Sequence, residues 1–131
     1  MNNYHILFTL AFFEFIFDKM TKIKCEPMIG NIFLYFHHIL AVYVFIGWYL
    51  FNPRYHLYLM VFMVFHWITN NKRCWFTEVT NKYCGYPPEP YLGFNDITEL
   101  LDLDKIIPHV SWFVMISLIF IDFYIITTKK L

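Results

Sequence analysis

From position 31 to position 51 the chain runs through 21 residues without one acidic or basic side chain other than two histidines, and then stops at Asn52-Pro53. At 1.5 Å per residue such a helix covers about 31 Å, the thickness of a bilayer's hydrocarbon core. Proline cannot continue a helix and restrains the residue before it, so the break is sharp. A second apolar run, about 55–70, follows almost at once, and so short a connection makes the two an antiparallel hairpin. Two further apolar stretches lie at about 4–17 and 108–128, with proline tolerated in the first turn of the latter. The expected fold is all-α: a single domain, 1–131, forming an integral membrane bundle of about four transmembrane helices.

The alternative for such blocks is a soluble core. It is disfavoured because 59% of the residues are apolar and 15% charged, too small a polar share to cover a soluble surface. The stretch at 4–17 is short and carries Glu14. A signal peptide competes for it, but MNNYH lacks a basic start and no A-x-A-like site follows. Net charge is zero and the basic residues are scattered, which removes the electrostatic case for nucleic acid. Heavy use of Phe, Tyr, Ile, Asn and Lys, all encoded by AT-rich codons, suggests an AT-rich source such as a protist or one of its large DNA viruses.

Between the second and last apolar blocks lies a polar loop, about 71–94, where Gly85, Pro87, Pro88, Pro90 and Gly93 exclude long helices. A short interfacial helix is expected at 96–106, opened by Asp96 with Glu99 three residues on and carrying Ile97, Leu100, Leu101 and Leu103 mostly on one face. With four spans, Lys19, Lys22, Lys24, Lys72, Arg73, Lys82 and Lys105 fall on the loop side and Arg54, Lys129 and Lys130 on the terminal side. Seven against three favours a cytosolic loop side, although the loop is long and also acidic. Cys25, Cys74 and Cys84 share that side. The charge count therefore predicts reduced thiols, a Cys74–Cys84 disulfide is the alternative if the side is lumenal, and a metal site is a third reading without a C-x-x-C to support it.

Depth arithmetic from Pro53 places His38, or His37, level with His66. His56, Leu59, Met63, His66 and Asn70 form one stripe, which should face the bundle. Glu14 and Asp18, which share a face with Ala11, approach this depth from the first helix, and His109 and Ser111 start the last one there. Glu14, His37, His38, His66, Asn70 and His109 are thus a candidate cluster at one end of the bundle. Imidazoles and carboxylates on facing helices are usual metal or haem ligands, which would make the chain a membrane oxidoreductase. Absence of an E-x-x-H pair favours a hydrogen-bonded polar cluster with no cofactor. Asp122 is a second buried charge, expected to pair with Arg54 or His56. Trp48, Trp67, Trp75 and Trp112 read as interface anchors, and no nucleophile–base pair or phosphate loop is present.

The run HWITNNKRCWFTEVTNKYCG, from His66, resembles small multi-pass membrane proteins of large DNA viruses of protists, which carry H-W-x-x-N-N followed by Cys and Thr. More distantly it is similar to a bacterial membrane family whose loop reads C-P-L-T-x-x-E-N. Trp67, Asn71, Cys74, Thr77 and Glu78 are the matching loop residues, with Trp75-Phe76 in place of Pro-Leu and the Glu shifted. The resemblance implies a multi-helix membrane fold and carries no activity. The expected role is a structural, non-enzymatic component of a large virus's internal membrane, or of the host endoplasmic reticulum, contacting lipid and capsid proteins.

Overall fold

The computed structural model describes residues 2–21, 25–70, 74–85 and 110–129. Among these residues it has five α-helices and no strand: α1 (Asn3–Thr21), α2 (Met28–Leu50), α3 (Pro53–Thr69), α4 (Trp75–Cys84) and α5 (Val110–Thr128). The interfacial helix expected at 96–106 and the start of the last apolar block lie outside the described residues, as do Asn71 and His109. Met28–Leu50 is long and apolar enough to cross a membrane by itself, and Trp112–Thr128 is a shorter apolar stretch.

Local chemistry sets the helix ends. Asn52 opens α3, its side-chain oxygen accepting the Arg54 amide at 2.9 Å with Pro53 at the first helical position. Gly85 closes α4 in the left-handed conformation, φ 74°, which glycine adopts without a Cβ penalty. At the other end of α4 the Trp75 amide donates to His66 Nε2 at 3.3 Å, occupying one of the helix's orphan donors.

α2 is the central element, packed against α1, α3 and α4, while α5 packs on α3. α1 runs antiparallel to α2: the Asn3 side chain donates to the Leu50 carbonyl, Tyr4 meets Phe51, and Lys19 reaches Asn31. α5 is likewise antiparallel to α3, with Trp112 against Trp67 and Asp122 against His56. Val44, Met60, Met63, Met115 and Leu118 form the core shared by α2, α3 and α5. Leu7, Ala11 and Val42 fill the α1–α2 seam.

α4 is a short helix of 10 residues within the polar loop expected over 71–94. It lies antiparallel along the first part of α2, with Cys74 and Thr77 beside His37, and Tyr83 and Cys84 beside Gly30. Phe33 of α2 fits between Trp75 and Tyr83, with ring centroids 5.7 and 6.2 Å away. The buried residues Cys74, Thr77, Thr80 and Asn81, with half-buried Cys84, recur at helical spacing, so the face α4 buries is polar and small rather than aliphatic.

The cysteines correct the expectation of reduced thiols, and the Cys74–Cys84 alternative with it. Cys84 bridges to Cys25, not to Cys74, with Cα atoms 4.8 Å apart. Gly30 makes this possible, since a Cβ there would stand 2.6 Å from both sulfurs. Lys19 Nζ ties the same corner by donating to the Cys25 carbonyl at 2.6 Å and the Asn31 side chain at 2.9 Å.

Asp18, His38, His56 and Asp122 are buried, whereas Phe13, Phe62, Phe65, Phe113, Phe120 and Phe123 are exposed.

Candidate functional site

Glu14 and Asp18 are one helical turn apart, so both project from one face of α1. That face meets His38, which is 1% exposed. His38 Nε2 lies 3.1 Å from Asp18 Oδ2 and Nδ1 lies 3.5 Å from Glu14 Oε2, so the imidazole is held between two carboxylates. The approaches are ion-pair contacts; neither ring nitrogen completes a well-directed hydrogen bond among the described residues. The Asp18 side chain is 4% exposed and that of Glu14 35%.

His37 follows about 100° around α2 and so points to a different neighbour. Its ring stands edge-on to His38 at 5.7 Å. Its Nδ1 has Cys74 Sγ at 3.6 Å and Thr77 Oγ1 at 3.4 Å. A thiol beside an imidazole is the pairing that activates a cysteine nucleophile. Here the thiol is buried against α2 and a threonine hydroxyl shares its nitrogen, the arrangement of a packing contact between α2 and α4.

The expected cluster is therefore brought together in part. Glu14 and His38 meet, with His37 adjacent, but His66 and Asn70 serve the α3–α4 connection instead. His66 accepts the Trp75 amide, and Asn70 Nδ2 donates to Glu78 Oε2 at 3.0 Å. Equal depth along antiparallel helices does not make two residues face each other: azimuth separates His66 from His38. Of the loop motif, Cys74, Thr77 and Glu78 make these contacts and Trp67 packs on Trp112. Asp18, expected on the same face of the first helix as Ala11 and Glu14 and at the depth of His38, is the second carboxylate against that histidine.

A second site lies toward the other end of the bundle. His56 Nδ1 is 2.6 Å from Asp122 Oδ2, and both side chains are fully buried. His56 Nε2 is 3.0 Å from the Val44 carbonyl oxygen. A carbonyl only accepts, so Nε2 carries a hydrogen, and the short Nδ1···Oδ2 contact holds one further proton between ring and carboxyl. Gly47 clears the space, because a Cβ there would stand 2.7 Å from the imidazole. The expected partnership of Asp122 with His56 holds. Arg54, by contrast, is exposed and is not a buried charge.

Among the described residues no three of His, Cys, Asp and Glu converge so as to hold a metal ion. Imidazoles are matched to carboxylates across two helix seams, His38 to Asp18 and Glu14 and His56 to Asp122, an arrangement that holds protons and registers helices. No protein-family model matches the chain, and no curated protein or solved structure is significantly similar to it.

Proposed function

We propose that the protein is a multi-pass integral membrane protein of structural, non-catalytic role, crossing the bilayer with α1, α2, α3 and α5 and presenting α4 at one face. The observation that carries this reading is the inverted surface: aromatic side chains on the outer faces of α1, α3 and α5, and carboxylates and imidazoles turned inward. Soluble monomers rarely expose contiguous apolar area on that scale, whereas lipid demands it and drives ionisable groups to the bundle interior. α1 and α5, with 19 residues each, and α3 with 17 span roughly 25–28 Å. Local thinning of the bilayer accommodates a shortfall of that size.

Four spans put both termini on one side and α4 on the other. The lysine and arginine count favours a cytosolic α4, and the Cys25–Cys84 disulfide opposes it. The disulfide takes precedence, because such bonds form and persist in oxidising compartments and are rare in the cytosol, whereas the charge rule is a bias blurred by a long acidic loop. The α4 face is then lumenal or extracellular. In the virion-membrane reading suggested by the His66–Gly85 run, contact with capsid proteins falls to the terminal face.

Glycosylation mapping tests the topology. The chain has no N-x-S/T sequon. An acceptor inserted after Gly85 is expected to be glycosylated in microsomes, and one appended after Leu131 is not. Modification of the C-terminal acceptor with none at the loop would reverse the orientation, and modification of both would show that α5 does not cross.

A further inference from the structure

We propose that Glu14, His38 and Asp18 form a proton-binding site, an imidazolium clasped by two carboxylates that takes up and releases one proton at Glu14. The proposal rests on the membrane-bundle reading above and deepens it.

Geometry supports this assignment first. Each ring nitrogen of His38 faces a carboxylate oxygen, and carboxylate oxygens only accept. A neutral imidazole would turn one lone pair onto an anion, so the cluster holds at least one proton beyond the neutral ring. With that proton the three groups sum to one negative charge; with a second they are neutral. Two uncompensated negative charges between helices in lipid carry a desolvation cost that favours the protonated states. The site therefore alternates between charge minus one and zero. The balance needs only water as donor and acceptor, since one O–H bond forms or breaks and nothing is oxidised.

Burial supplies the second argument. His38 and Asp18 are sealed, whereas the Glu14 side chain is about one-third exposed, which makes Glu14 the member of the triad least enclosed by protein. The other titratable groups facing this level have engagements of their own. On α2, His37 meets Cys74 and Thr77. Lys19 on α1 holds the Cys25 carbonyl and Asn31. His66 on α3 accepts the Trp75 amide, and Glu78 on α4 accepts from Asn70. The exchanging proton is thereby confined to the triad.

Infrared difference spectroscopy of the purified protein, titrated in detergent and in liposomes, tests the site. One protonated-carboxyl band is expected to disappear in Glu14→Gln. Its midpoint should move by a pH unit or more in His38→Gln and in Asp18→Asn, as coupled groups require. Non-reducing mobility confirms that each variant retains the Cys25–Cys84 bridge. A Glu14 band whose midpoint is unmoved by both other substitutions shows three independent groups and overturns the proposal. Glycosylation mapping is unaffected by that result, so failure of the proton site and failure of the membrane topology are separable.

Discussion

Replacing either Cys25 or Cys84 by serine is expected to abolish the mobility difference between reduced and non-reduced protein, and Cys74→Ser to leave it unchanged. The bridge closes a separation of 59 residues. Restricting a loop of that length is worth about 4 kcal/mol in the chain-entropy account, an upper figure here because helix pairing already restricts the segment between. The loss should concentrate in α4, which the bridge ties to the start of α2 and which is otherwise held by a buried face of threonines and asparagine and by the ring contacts of Phe33 with Trp75 and Tyr83. Limited proteolysis should accordingly cut near α4 in both variants well before α2 or α3. Retention of the mobility difference in Cys25→Ser, with its loss in Cys74→Ser, would replace the pairing seen here with another.

Loss of His56 is expected to destabilise the α3–α5 seam on a similar scale. His56→Ala strands the Asp122 carboxyl in a fully buried position and empties the space next to Gly47. Breaking a buried pair in this way costs about 3–5 kcal/mol. Replacing both partners at once, His56→Leu with Asp122→Leu, should recover stability to within about 1 kcal/mol of the parent, because no uncompensated polar group remains. Denaturant titration in detergent would measure all three proteins. Additive losses in the double variant would show that the two side chains do not act as a pair.

These expectations separate what was legible in the residues from what was not. α2, α3 and α5 could be read to within a few residues, because an apolar run ended by Asn52-Pro53 leaves little choice. α1 extends to Thr21, past the expected end at 17. Glu14, Asp18 and Lys19 look like a terminus when read as polarity alone, yet the two carboxylates are inside the helix because they face His38. α4 was illegible for a related reason. Helix signals assume an apolar buried stripe, and the stripe of α4 is Cys74, Thr77, Thr80 and Asn81.

The candidate site shows the same limit. Rise per residue predicted depth correctly enough to group Glu14 with His38, and to set Asp122 near His56. It carried no information on azimuth, which assigned His66 and Asn70 to the α3–α4 connection and set His37 Nδ1 toward Cys74 and Thr77. The disulfide likewise depended on the placement of α4 along α2 and on the space left by Gly30, neither of which a spacing of cysteines reveals.

Photolabelling from within the bilayer bears most directly on the inverted architecture. A lipid-soluble carbene precursor, activated in liposomes containing the protein, marks side chains that touch acyl chains, and mass spectrometry locates them. The four-span bundle predicts labels on the exposed faces of all four helices, including Phe13, Phe62, Phe65, Phe113 and Phe120, with none on Thr77, Thr80 or Asn81 of α4. Labels confined to α2, with Phe62, Phe113 and Phe120 unmarked, would contradict it.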